Sequence, residues 1–143
     1  IFGGDDVSDV KRAIEVALAE VERTFGDVYA NDAGHLELQY TARASHAVNA
    51  AFGAPEGKAF GLIVGAPAAI GVVMADVAVK SANVDVIGYA SPSAGTSNSN
   101  EVILQISGDS GAVRQAVISA REVGKKLLAT MGDEPVNGAP SYI

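Results

Sequence analysis

The sequence predicts an α+β domain, a mainly antiparallel sheet with helices packed on it, and three observations lead there. From Leu36 to Gly132 the hydrophobic period switches between strand-like and helix-like in the order strand, helix, strand, helix, strand, strand, helix. The two consecutive β-rich runs, Val84–Ile87 and Val102–Ile106, flank a polar stretch too hydrophilic for a core and read as a hairpin. A helix pattern also occurs twice at a fixed offset, the mark of an internal duplication.

Taken in order, the chain begins with Ile1-Phe2-Gly3-Gly4, which reads as the end of a strand and raises the expectation of sequence upstream. Asp6 or Ser8 is placed to cap a helix with the apolar stripe Val7, Val10, Ile14, Ala17, Val21 and Phe25. Lys11 and Glu15 pair four apart on its wet side, and Gly26 closes it. Asp6, Val10, Ala13, Ile14 and Ala17 recur as Asp109, Val113, Ala116, Val117 and Ala120, an offset of 103 (109 − 6). The first copy lacks the hairpin that precedes the second. Its apolar stripe must therefore cover something, whether this sheet, a neighbouring chain or an upstream segment.

Asn31, Asp32 and Gly34 are turn residues ahead of a strand in which Leu36, Leu38 and Tyr40 alternate with Glu37, Gln39 and Thr41. Ala44 to Phe52 reads as a short helix ended by Gly53, Pro55 and Gly57, and Phe60 to Val64 as a compact apolar strand. Ala68 to Ala82 reads as a helix, with Ala75, Val77, Ala78 and Ala82 at helical spacing and Asn83 as its stop. Val102, Leu104 and Ile106 alternate with Ile103, Gln105 and Ser107, so one face of that strand is the more buried. Asp109 is the candidate N-cap of a last helix with the stripe Val113, Ala116, Val117, Ala120, Val123 and Leu127, ended by Gly132. The expected division is a strand–helix remnant over 1–29, a complete unit with a single layer of helices over 30–133, and an extended tail over 134–143 containing Pro135, Gly138 and Pro140.

Composition narrows the function classes. At 143 residues and 48% hydrophobic, the chain is long and apolar enough for one sizeable core. A net charge of −7 disfavours nucleic acid or an anionic membrane as partner. The absence of cysteine excludes disulfides, thiolate zinc sites and cysteine-ligated iron–sulfur clusters. No apolar run reaches the roughly 20 residues a bilayer-spanning helix needs.

The phrases Val79-Lys80-Ser81-Ala82-Asn83-Val84, Val86-Ile87-Gly88-Tyr89 and Gly108-Asp109-Ser110-Gly111-Ala112-Val113 fall in one order and spacing that closely resembles bacterial microcompartment shell proteins. The early position of the strand and short helix at Leu36 to Phe52 resembles the tandem, circularly permuted branch of that family. The resemblance implies a permuted, ferredoxin-like microcompartment domain, with residues 1–29 the C-terminal remnant of an upstream copy. It implies a structural protein rather than an enzyme, without cofactor, forming pseudo-hexameric homotrimers in a shell inside the cytoplasm. Its implied partners are itself, other shell proteins, the encapsulated enzymes and small polar metabolites such as 1,2-propanediol or glycerol. The alternative class is a small-molecule-binding regulatory domain, since alternating strands and helices of this size also build ligand sensors.

Candidate site residues follow from the residues and the resemblance together. The stretch from Ser91 to Asn100 reads on its own as a polar hairpin loop; the resemblance places it at the oligomer's pore, lined by Ser91, Ser93, Ala94, Gly95, Thr96, Ser97, Asn98 and Ser99. It is longer than the family's short Gly-Ser-Gly turn. Lys80 reads as a surface cation near a helix C-terminus, and by resemblance lies at the edge where flat oligomers meet, with Arg43 as the matching edge arginine. His35 and His46 stand eleven apart (46 − 35) in different elements and are assigned no metal or catalytic role. Ser107-Gly108-Asp109-Ser110-Gly111 precedes a helix but lacks the lysine of a nucleotide loop, and its Asp109 would repel an anion. No catalytic and no metal-binding residue is assigned.

Overall fold

Alternating and helical apolar patterns resolve into four helices and six strands among the described residues of the computed structural model, which are 1–24, 27–95, 99–138 and 143, with residues 22–24 described by backbone alone. The elements are α1 (Val7–Thr24), β1 (Asp27–Asn31), β2 (Gly34–Thr41), α2 (His46–Phe52), β3 (Ala59–Ala66), α3 (Ala68–Ser81), β4 (Asp85–Ala90), β5 (Val102–Gly108), α4 (Ser110–Ala129) and β6 (Val136–Asn137). The strands form one sheet in the order β4-β5-β3-β2-β1-β6. All its pairings are antiparallel.

The expected sequence of elements from β2 to α4 is present. Leu36 and Leu38 of β2, Ile63 of β3, and Leu104 and Ile106 of β5 point to one face of the sheet and are buried. Over them lie Ile70, Met74 and Ala78 of α3, with Val113, Ala116, Val117, Ala120 and Leu128 of α4. The spacing identifies the buried stripe of α4. It does not identify the buried stripe of α3, because apolar residues lie around that helix with only Asp76 and Lys80 to mark its outer side, and its period carries little phase.

Two glycines bring α3 flush against the sheet. A Cβ on Gly65 of β3 would stand 2.6 Å from the Cα of Gly71 of α3, so the two backbones approach to a distance only glycine permits. On α4, a Cβ at Gly124 would stand 2.7 Å from the sulfur of Met74, which is fully buried between the two helices.

The single layer of helices expected from the sequence is corrected by α2. Phe60, the next residue along β3 from the inward Gly61, points to the opposite face and packs with Ala44 and Ala54, flanked by Val48 of α2, Leu62 and Ile87. The rings of Phe52 and Phe60 stack with centroids 5.1 Å apart. Ser45 caps α2, accepting a bond from the Val48 amide (3.5 Å), and Gly53 ends it in the left-handed region at φ 69°.

Strand β1 was not expected, since a run of five residues beginning with Asp has a weak β signal. Its partner is distant: Asp27 is fully buried and accepts a 2.6 Å bond from Nη1 of Arg121 on α4. Burial opposes the charge on Arg121, but hydrogen bonds to Asp27 and Glu122 outweigh it and hold the guanidinium above its ordinary value. The C-terminal segment is extended, as expected, and also docked: Val136 and Asn137 pair with β1, and Asn137 Oδ1 accepts from the Val28 amide (3.3 Å).

Helix α1 starts as expected, with Asp6 Oδ1 accepting from the amides of Ser8 (2.7 Å) and Asp9 (3.3 Å). Hydrogen bonds from Ser8, its hydroxyl first, lower the Asp6 pKa. Lys11 and Glu15 form the expected pair at 3.9 Å. The stripe does not cover this sheet: Val7, Ile14 and Val21 are exposed, while Phe25 and Gly26 lie outside the described residues. Residues 1–4 carry no regular structure.

Asp109 occupies the N-cap position of α4, but its side chain makes no capping bond and is 89% exposed. Replacing each aspartate by alanine separates the two roles. Asp27→Ala, which leaves a guanidinium without its buried partner, should cost roughly 3 kcal/mol in urea unfolding. Asp109→Ala should stay within about 0.5 kcal/mol, where a capping aspartate would lose about 1.

Candidate functional site

The polar loop between β4 and β5 is held at both stems. On the β4 side, the Ser91 amide donates to the Ala94 carbonyl (2.7 Å) and the Ala94 amide returns a bond to Ser91 (2.8 Å). Gly95 follows at φ 98°, with Ala90 so close that a Cβ there would meet it at 2.9 Å. The hydroxyls of Ser91 and Ser93 are 3.1 Å apart. Ser93, Ala94, Gly95 and Ser99 are exposed and Ser91 is half-buried. Thr96, Ser97 and Asn98 of the expected lining lie outside the described residues.

On the β5 side, three consecutive residues tie the loop to the body. Ser99 Oγ donates to Glu101 Oε2 (3.2 Å). Asn100 Oδ1 accepts from the Ala68 amide (3.2 Å), taking up a donor at the start of α3 that Pro67 leaves without a side-chain cap. Glu101 Oε1 lies 3.2 Å from His35 Nε2 on β2, which also stands 3.6 Å from Glu37 Oε1. His35, assigned no site from the sequence, thus buttresses the loop stem. Its partner is 66 positions away (101 − 35), and no local signal announces it.

Lys80 lies in the last turn of α3, 72% exposed, with Nζ 2.6 Å from Asp76 Oδ2 one turn earlier. Arg43 is exposed just after β2, where its carbonyl accepts from Thr41 Oγ1 at 3.4 Å. The register brings these two cations to one end of the sheet: Thr41 pairs with Phe60 at the end of β2, and Asp85 with Ser107 at the start of β4. The loop is at the other end. Since Asn100 meets the first residue of the 14-residue α3 and Lys80 is near its last, about 20 Å of helix separates them.

The glycine-containing turn before α4 has a structural use. Ser107 is buried and its hydroxyl bonds the Ala59 carbonyl (2.8 Å), joining β5 to β3. A cleft of about 270 Å³ lies beside it, lined by Lys58, Asn83, Asp85 and Asp109 among others, with the Asp109 carboxylate 3.9 Å from Lys58. Among the described residues no three His, Asp or Glu side chains converge as a metal site. His46 is exposed and 3.1 Å from Glu56.

Comparison with known proteins gives these positions a context. The BMC domain profile matches residues 59–134. Over all 143 residues the chain is 72% identical to a bacterial microcompartment shell protein PduB of Citrobacter freundii, and 62% identical to a protein of the same name from Limosilactobacillus reuteri. Those alignments cover 53% and 60% of the relatives, so the chain spans about half the length of the curated relatives it matches. A crystal structure of a trimeric bacterial microcompartment shell protein PduB superposes with a TM-score of 0.92 at 62% identity, over 99% of this chain and 62% of that one.

The stem geometry yields a test. Asn100→Ala should destabilise the chain by about 1 kcal/mol, the usual scale for losing a helix cap, and speed hydrogen exchange at the Ala68 amide. Unchanged exchange at Ala68 would remove Asn100 as the anchor of this loop.

Proposed function

Because this chain belongs to the BMC-domain family, we propose that it is a structural component of a bacterial microcompartment shell in the cytoplasm, assembling as pseudo-hexameric trimers that tile into a sheet. The observation that carries the reading is the 72% identity, over the whole of this chain, with a microcompartment shell protein, joined to a TM-score of 0.92 with a trimeric one. The work of such a protein is assembly and passage rather than catalysis.

The geometry supports a division of labour along α3. A ring of such units that brings the loops of residues 91–100 to its centre carries Lys80 and Arg43 outward, because loop and cations are at opposite ends of the same sheet. The loop then borders a pore, and its hydroxyl and amide groups exchange hydrogen bonds with a small neutral polar solute, a diol such as 1,2-propanediol or glycerol, as water does. Lys80 and Arg43 meet neighbouring oligomers, either of this protein or of other shell proteins, with the enclosed enzymes on one side of the sheet.

Residues 1–26 fit the remnant of an upstream copy. Val113, Ala116, Val117 and Ala120 of α4 are all fully buried, whereas their equivalents in α1, Val10, Ala13, Ile14 and Ala17, are exposed or half-buried. The same stripe has its sheet in one place and lacks it in the other. The proposed division into a remnant over 1–29, a unit over 30–133 and a tail over 134–143 has its first boundary within β1, which pairs with β2, and its last segment pairs with β1 through Val136 and Asn137.

Two measurements test these roles. Lys80→Ala should keep the fold, since an exposed i,i+4 ion pair is worth about 0.5 kcal/mol or less, yet reduce the extent of sheets or tubes in electron micrographs of concentrated protein. Arg43→Ala should act in the same direction, and sheets of undiminished extent from a folded Lys80→Ala protein would sink the edge assignment. Replacing Ser93, Ser97 and Ser99 together by Leu should slow diol entry into assembled shells while leaving assembly unchanged; equal entry rates would take the loop out of the transport path.

A further inference from the structure

Three ionisable side chains meet at the stem of the β4–β5 loop, and the register of the sheet explains how. Leu36 of β2 is buried under α3 and α4, so its neighbours His35 and Glu37 point to the opposite face. His35 stands across from Ala66 of β3, and directly opposed residues share a face. On the other side of β3, Gly65 pairs with Val102, so the residue before Val102, Glu101, falls beside Ala66 on that same face. Strand β3 thus presents a single methyl group between the two, and the imidazole of His35 meets the carboxylate of Glu101 over it at 3.2 Å.

Glu101 passes this position on to the loop stem. Its second oxygen accepts from Ser99 Oγ, and Asn100 between them accepts from the Ala68 amide. The stem is therefore tied to β2 through His35 and to α3 through Asn100. The charged groups facing the imidazole are Glu101 and, on its own strand, Glu37 at 3.6 Å. The elements beside it set uncharged residues there: Ala30 on β1, Ala66 on β3 and Ala68 at the start of α3.

Histidine is the side chain whose charge changes between about pH 5 and 8. With the ring charged, the three groups carry one net negative charge and the imidazolium attracts both carboxylates. With the ring neutral they carry two, and the carboxylates gathered at one nitrogen repel each other. All three side chains are partly exposed, so solvent screens these forces.

We propose that His35 is a proton-operated clamp on the loop stem. Its charged form holds Glu101 against β2 and, through the adjoining residue, Asn100 against Ala68; its neutral form loosens both. The hold is tightest at the acid end of the histidine range, weakens as the pH rises through it, and fails below about pH 4, where the glutamates take up protons themselves. The clamp stands on the geometry of residues 35, 37 and 99–101 and is independent of what the loop borders. In the ring proposed above, the same proton sets how firmly the rim of the pore is held.

Hydrogen exchange at the Ala68 amide reads the clamp in the 143-residue chain, expressed as a protection factor so that the chemical pH dependence of exchange is removed. At low salt the parent should be protected about threefold more at about pH 5.5 than at about pH 8, the scale of a partly exposed ion pair, and high salt should shrink the difference. His35→Gln keeps a hydrogen-bond donor that does not titrate and should flatten the profile. Glu101→Gln keeps the ring, removes the carboxylate it meets, and should flatten most of it. The other histidine of the sequence, His46, is the control: it lies beyond the far end of β2 beside Glu56, and His46→Gln should leave the profile unchanged. The amide of Ala116, in the core of α4, should show no such step. A flat profile in the parent, a step of equal size in Glu101→Gln or His35→Gln, a step abolished by His46→Gln, or the same step at Ala116, which would report global stability, would each overturn the clamp.

Discussion

The contact on which the architecture depends is the meeting of Gly65 on β3 with Gly71 on α3. With no side chain on either residue the helix backbone rests against the strand backbone, and Met74, one turn on, fills the space between Gly65 and Gly124 of α4. Each ångström the helix moved outward would open a void beneath Met74, and voids forfeit the dispersion contacts of everything that lines them. A helix held this tightly is a rigid spacer. The separation of the β4–β5 loop from Lys80 is thereby set by the length of α3, not by the conformation of a linker.

A second set of contacts secures β1 and the chain's end. Asn31 Nδ2 donates to the carbonyls of Leu128 (3.1 Å) and Asp133 (2.8 Å), while its Oδ1 accepts from the amides of Ala33 (2.9 Å) and Gly34 (3.3 Å). One side chain thus shapes the β1–β2 turn and adds a bond at the end of α4, where the Leu128 carbonyl also accepts from the Met131 amide at 3.1 Å. Arg121 does the same for the other end of β1 through Asp27, and also reaches the Ile143 carbonyl at 3.5 Å. Residues about a hundred positions apart are joined by these polar bonds, and at the fully buried Asp27 an unpaired group would be costly while a paired one fixes register.

The function proposed for this chain is a property of surfaces. The groups that matter to it are an uncharged loop and two cations at the far end, and none needs the convergence of side chains that catalysis demands. The two copies of the duplicated helix make the same point from the other side. A closely similar stripe is core in α4 and exposed or half-buried in α1, so the hydrophobic pattern records what a helix is built to cover, while the presence of the cover depends on which sheet is at hand.

The sequence by itself determined the order from β2 to α4, the buried stripe of α4, the turn that ends α2 at Gly53, the helix start at Asp6 and the identity of the family, because each is written in local periodicity, capping residues or contiguous phrases. It did not disclose β1, whose short polar-led run is a strand through its pairing with β2 and β6, with Arg121 holding Asp27 at its start. The capping role expected of Asp109 was contradicted by a side chain turned to solvent, and α2 proved to lie on the opposite face of the sheet from α3 and α4. Phase along α3 was weakly marked because apolar residues surround it, with only Asp76 and Lys80 on the outer side. His35, Asn100 and Glu101 could be joined at the loop stem only by the sheet, which brings distant residues within hydrogen-bonding range. Local energies are set by neighbours in sequence, and these were readable; pairings across the sheet and between the helices depend on three-dimensional proximity, and only the tertiary structure decided them.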